Sequence, residues 1–385
     1  MSEHRTIADI DHDELAVLAN EHLLCGHLID RAGMPVVIPH GLDVMTAVAI
    51  EEWRGASPVY AKRMQQVLGF EGDTVETVFK GMQLDIGAPP EFMDFRYTVT
   101  DDRHGEFHLD HCGALMDVEP MGDDFVVAMC HHIEDPTFDA TGWASNPRVR
   151  MRPVHRPPRT PADRHPHCAW TVDIDPATEP TPEPEQVGRI RQTLASQVSL
   201  ADPLAHGPTD DGMTAYDSPL DPDLRMRHFA SSALRAIIDE VCLQGHLLAS
   251  SFAMVLSDHV GVDAAVEATA KQFCGVAGVA SERLRAAFGL GTAVADVATV
   301  FALHPAFHPA TYVTWDVTVD GDTVRLELGD CPATREQGIG SWLTLLADGN
   351  DDALSAIAAG VDPHWSVSPD GIRSWVVEWA DEPEK

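Results

Sequence analysis

The chain has 385 residues, is 44% hydrophobic and 23% charged, and carries a formal net charge of −35. That length and composition predict a globular protein of two or three domains. So acidic a surface argues against nucleic acid and anionic membranes as partners, because it repels both.

The N-terminal stretch "MSEHRTIADIDHDE" is polar and acidic, unlike a secretory signal. Leu15, Leu18, Leu23 and Leu24 recur near helical period and predict a first helix over 13–34. "GLDVMTAVAIEEWRG" and "SPVYAKRMQQVLG" predict two more, the latter stopping at Gly69, and "DTVETVFKGMQLDIG" a fourth. "FRYTVTDDRHGEFHLDHC" alternates on either side of "DDRHG" and predicts a β-hairpin. "GDDFVVAMCHHIED" predicts a helix closed by Pro136, and "HCAWTVDID" a last strand. The basic, proline-rich "RMRPVHRPPR" between them reads as a loop.

The order then recurs. "ANEHLLCGHLIDRAGM" (19–34) matches "IDEVCLQGHLLASSFAM" (238–254), placing Glu21 on Glu240, Gly26 on Gly245 and His27 on His246. "AKRMQQVLGF" (61–70) matches "SERLRAAFGL" (281–290), with Arg63 on Arg283 and Gly69 on Gly289. "VETVF" falls on "VATVF", "FHLDHC" on "LELGDC" and "HCAWTVDI" on "IRSWVVEW". This predicts an α+β fold built as a tandem duplication, each copy having N-terminal helices followed by a small antiparallel sheet. The expected boundaries are 1–174 for the first repeat, 175–224 for an acidic, Pro-rich linker holding one short helix, and 225–385 for a degenerate second repeat. The second repeat is expected to pack on the first as a pseudo-dimer, and a homo-oligomer is compatible with this. Seven irregularly spaced cysteines point to a reducing cytoplasm, and no run reaches the roughly 18 apolar residues of a membrane span.

Eight of the 20 histidines and three of the seven cysteines lie between His104 and Cys168. Cys112 has a counterpart in Cys331, as His27 has in His246, and a residue that both copies keep is best explained by packing. The imidazoles of the cluster, with Cys130 and Cys168, belong to the first copy alone. Strand alternation points His111 to the core, and Cys130 with His131 on the following helix, and His167 with Cys168 on the last strand, would meet it there. Those five residues suit a borderline-soft transition metal, zinc or iron, although no recognised zinc spacing occurs. A lone buried cysteine otherwise behaves as a small hydrophobe. Arg148, Arg150, Arg152, Arg156 and Arg159 either pair with the protein's own acids or, with His155, clamp a substrate carboxylate.

A Cys after a strand, a "C-H-H-x-x-D" helix (Cys130 to Asp135), an arginine loop, and Asp163 and Cys168 before an aromatic strand together resemble the L-2-amino-thiazoline-4-carboxylic acid hydrolase-like family. The resemblance covers about 105–174 and departs from the family at "ADRHPHC", where a Gly-Asp is usual. It implies thiol- or metal-assisted hydrolysis of a small heterocycle or amide bearing a carboxylate. The expected function is accordingly a metal- or thiol-dependent hydrolase or lyase acting on a small molecule in the first repeat. Cys130 or Cys168 is nucleophile or ligand, His131 or His132 is base, Asp135 orients an imidazole, and Arg152, His155 and Arg156 hold the carboxylate. The alternative is a non-catalytic ligand- or metal-binding sensor or scaffold.

Overall fold

The computed structural model describes residues 4–205, 207–339 and 341–382. In the first half, α1 (His12–Leu23), α2 (Cys25–Val37), α3 (Leu42–Val67) and α4 (Val75–Gln83) precede the hairpin β1 (Met93–Asp101) and β2 (His104–Cys112). After it come α5 (Gly113–Val118), α6 (Asp123–Val127), a π-helical turn (Ala128–Ile133), α7 (Glu134–Trp143), β3 (Val149–His155) and β4 (Cys168–Ile174). Two short helices follow, α8 (Glu185–Ile190) and α9 (Leu194–Gln197). The second half has α10 (Ser231–Val260), α11 (Val262–Ala287) and α12 (Val294–Leu303), then β5 (Trp315–Asp320) and β6 (Thr323–Leu328). It ends with α13 (Trp342–Ala347), α14 (Asp352–Val361), β7 (Trp365–Pro369) and β8 (Ser374–Trp379). The architecture is α+β, with two antiparallel four-stranded sheets in the orders β1-β2-β4-β3 and β5-β6-β8-β7.

Local chemistry explains the ends. Asp11 accepts from the Glu14 amide at 3.0 Å while Glu14 accepts from the Asp11 amide at 3.1 Å, a reciprocal cap that starts α1. Gly69 and Gly289 close the equivalent helices α3 and α11 with φ of +68° and +60°, a conformation that a side chain disfavours.

Five expectations on elements need correction. The first predicted helix is broken at Leu24 into α1 and α2. The next two are one helix, α3, which runs through Pro58. Its small residues there face α10 so closely that a Cβ on Gly55 would meet Ser251 Oγ at 2.6 Å, so packing overrides the proline. Pro136 does not close the "CHH" helix, because the preceding π turn lets the chain continue as α7 to Trp143. "RMRPVH" is a strand, β3; it lies at the sheet edge, where Pro153 has no second ladder to serve. The linker also holds two short helices rather than one, since Thr193 caps a fresh start for α9.

The helices of the two halves are not separate layers. α10 packs along α3 and α1, α11 packs along α2, and one hydrophobic core draws residues from both halves. Two ion pairs tie them reciprocally. Arg63 grips Glu240 through two bonds of 2.8 Å each, and Arg283 grips Glu21 at 2.7 and 3.1 Å. These are the same residues that the self-comparison aligns, so each half offers the other one arginine and one glutamate. Among the described residues no helix is long and apolar enough to cross a membrane.

The pairs differ in burial: the Arg63 and Glu240 side chains are 9% and 2% exposed, those of Arg283 and Glu21 38% and 14%. Removing one partner of a buried pair strands a charge. Arg63→Ala should therefore cost about 3–5 kcal/mol, and Arg283→Ala about 1 kcal/mol, in chemical denaturation. Equal losses would contradict the reading.

Candidate functional site

The residues singled out in the first repeat divide between two sides of its sheet. Cys112, Cys130 and Cys168 are buried in the core beneath the sheet, with Trp170 and Val172. His111 is exposed instead. The reason is a bulge: Phe95 pairs with Leu109 but Met93 pairs with Cys112, so β2 spends one extra residue there. Alternation slips by one, Cys112 takes the inward place and His111 the outward one. The His111 ring lies 6.0 Å from that of His167, which lies 5.7 Å from that of His165. His167, next to Cys168, is itself buried, and its Nδ1 has no hydrogen-bond partner among the described residues. Of the expected ligand set, His111 is exposed, His131 half-buried, and Cys130, His167 and Cys168 are buried. Among the described residues no group of three or more His, Cys, Asp or Glu is arranged to hold a metal ion.

The proposed catalytic groups are also apart. Cys130 is buried while His132, two residues on, is exposed. His131 Nε2 donates to the Pro157 carbonyl at 2.6 Å, and Asp135 pairs with Arg156 at 2.5 Å. Burial, reinforced by Glu134, raises the pKa values of all three thiols, that of Cys112 to about 12, so each stays protonated at neutral pH. The arginines face the protein's own acids: Arg152 binds Asp139 at 3.0 Å, and Arg159 binds Glu119 at 2.9 and 3.0 Å. Arg156 also lies 5.9 Å from the Trp170 ring centre. His155 lies on β3, and its Nδ1 has no hydrogen-bond partner among the described residues.

The larger feature lies deeper. Between α2, α3, α7 and the start of β1 is a cavity of about 120 Å³ that opens to solvent. Phe95, Phe138, Phe252, Trp53 and five methionines form most of its wall. Set into this apolar wall are four carboxyl groups, Asp30, Glu52, Asp85 and Glu134, and one imidazole, His27. No Lys or Arg lines it among the described residues.

Asp30 on α2 and Glu52 on α3 meet within hydrogen-bonding reach. Burial raises the Asp30 pKa to about 7 and that of Glu52 well above its usual range, and Asp30's charge lifts Glu52 further. Burial likewise brings Asp85 to about 6, despite hydrogen bonds from Gly87 N at 2.7 Å and Tyr60 OH at 2.9 Å. Glu134 rises to about 8, with Arg156 opposing the effect of burial. His27 falls to about 4 because burial disfavours its charged form, and its Nε2 donates to Gly87 O at 3.0 Å. Glu52 Oε2, Asp85 Oδ2 and Glu134 Oε2 are buried without a hydrogen-bond partner among the described residues. Unpaired buried oxygens are costly, which is why they are rare away from functional sites.

These carboxyl groups escaped the sequence reading, although the signal that finds them was in hand. In the same self-alignment Asp30 falls on Ala249, Gly33 on Phe252, Glu52 on Gln272 and Tyr60 on Ala280. His27, by contrast, repeats as His246, whose Nε2 makes the matching bond to the His308 carbonyl at 3.0 Å. The region of the second half that corresponds to Trp53 is filled by Phe273, stacked 5.0 Å from Trp342.

A carboxyl group whose pKa is raised on folding binds protons more tightly in the native state. The native state then loses stability as pH rises from about 4 through about 7 for Asp30. Asp30→Asn removes that loss. Its stability relative to wild type should climb by about 1 kcal/mol per pH unit between pH 5 and pH 7 and then level off. Denaturation curves across that range check this; a difference independent of pH would contradict it.

No family model, curated protein or solved structure matches this chain.

Proposed function

We propose that the first half is a receptor for a small, largely apolar molecule, and that the protein works by binding rather than by thiol or metal chemistry. The observation that carries this reading is the cavity itself: an apolar, aromatic- and methionine-lined space with a few polar atoms converging on it. Methionines adapt to varied ligand shapes, and aromatic rings supply large contact areas. The second half supports the first as a filled, non-binding partner.

The hydrolase or lyase reading has less support. A thiol nucleophile needs a base beside it, and Cys130 has no hydrogen bond to an imidazole among the described residues. The arginines that would hold a substrate carboxylate are paired to Asp135, Asp139 and Glu119.

The test uses the full chain and a neutral fluorescent probe, N-phenyl-1-naphthylamine. Its emission should rise on binding with a stoichiometry of one. Ala49→Trp, which fills the cavity from α3, should abolish that rise while raising the melting temperature. Unchanged probe binding by this variant would remove the cavity from the account.

A further inference from the structure

The cavity is apolar on most of its wall, yet its acidic groups, four carboxyls, have no basic side chain beside them in the lining among the described residues. Glu52 is 3% exposed, Asp85 5% and Glu134 8%; each lines the cavity, each keeps a buried carboxyl oxygen without a hydrogen-bond partner among the described residues, and no Lys or Arg lines the cavity among them. A neutral ligand gains little from three acceptors of this sort. An anion would be repelled by them. A cation with an apolar body satisfies both parts of the wall, since rings and carboxylates attract the same charge.

We infer that the first-half cavity takes an organic monocation with an aromatic or alkyl body, such as a quaternary or protonated amine, seated against Asp30 and Glu52 in exchange for a proton. This rests on the receptor reading above and names the ligand class.

The exchange is balanced. Near neutral pH the Asp30–Glu52 pair keeps at least one proton, because two carboxylates in contact cannot both ionise in an apolar setting. Below about pH 7 Asp30 holds a proton as well, and an entering cation replaces that Asp30 proton, which leaves for solvent while Glu52 keeps its own, so the net charge of the cavity is unchanged. Other charged or titratable groups face the pair from each side. On α2, His27 is neutral and Arg31 is engaged by Asp117 at 3.1 Å. Tyr60 on α3 is tied to Asp85, and Glu134 on α7 is balanced by Arg156. From α10 only Phe252 lines the cavity. Among the described residues no Lys or Arg pairs with Asp30 or Glu52, so their place is open to a ligand.

The duplication points the same way. The second half has Ala249 and Gln272 where the first has Asp30 and Glu52, so the scaffold does not need either acid to fold. The double variant Asp30→Asn with Glu52→Gln is thus expected to fold, and a near-ultraviolet circular dichroism spectrum verifies it.

The experiment titrates tetraphenylphosphonium, and in parallel neutral N-phenyl-1-naphthylamine, into the full-length protein and the double variant between pH 5 and pH 8. The expected result is cation affinity rising up to tenfold per pH unit below about pH 7 and levelling above it, with binding of the neutral probe insensitive to pH. The double variant should bind the cation about tenfold or more weakly and the neutral probe as before. If the neutral probe binds while the cation does not, or if the double variant binds the cation like wild type, this inference falls and the receptor reading stands. If neither probe binds, both fall.

Discussion

Arg63 reaching Glu240, and Arg283 reaching Glu21, lock the helices of the two halves into one core. Everything functional follows from how that shared core is filled. The two halves supply the same elements in the same order, so any difference in side-chain volume between matched positions appears as a difference in filling. Gly33 stands where the second half has Phe252, and the two lie against each other: a Cβ on Gly33 would come within 3.1 Å of the Phe252 ring. A phenylalanine on one side and a glycine on the other leave space only on the glycine's side. The cavity is thus a consequence of near-symmetry broken at a few positions.

The same broken symmetry puts acids where apolar or amide side chains would serve. Burying a carboxyl without a partner costs stability, and the usual remedy is to keep it protonated. Glu52 and Glu134 follow that remedy and Asp30 does so in part, whereas Asp85, at about 6, instead accepts hydrogen bonds from Gly87 N and Tyr60 OH. Natural sequences accept such costs chiefly where something is gained by them. The thiols below the sheet behave differently. Cys112 caps α5, with its Sγ accepting from the Leu115 amide at 3.3 Å, and all three thiols pack among apolar side chains.

The α+β class, the hairpin, the last strand and most helices of the first half were legible from periodicity and self-comparison. What escaped has local causes. The edge strand β3 was hidden by Pro153, because an edge position tolerates what a central strand forbids. The direction of His111 was lost to one bulge, which no alternation rule anticipates. Histidine and cysteine cluster conspicuously in the sequence, and the acids of the cavity do not. Asp30 and Glu52 are 22 positions apart in a chain with 61 acidic residues, and nothing in their spacing sets them apart. Only their replacement by alanine and glutamine in the second copy marks them, and their meeting in space makes the mark meaningful.

The account turns on whether carboxyl groups in the cavity hold their protons at neutral pH. Infrared difference spectroscopy reads this directly, since the carbonyl stretch of a protonated carboxyl is separated from the carboxylate bands. Wild-type protein at pH 6.5 should show a protonated-carboxyl band that weakens in Glu52→Gln and falls stepwise as Asp30 and Glu134 are also replaced by their amides. A spectrum without any protonated-carboxyl band at that pH would mean that these acids are solvated and ionised, and that the cavity is not the enclosed acidic site described.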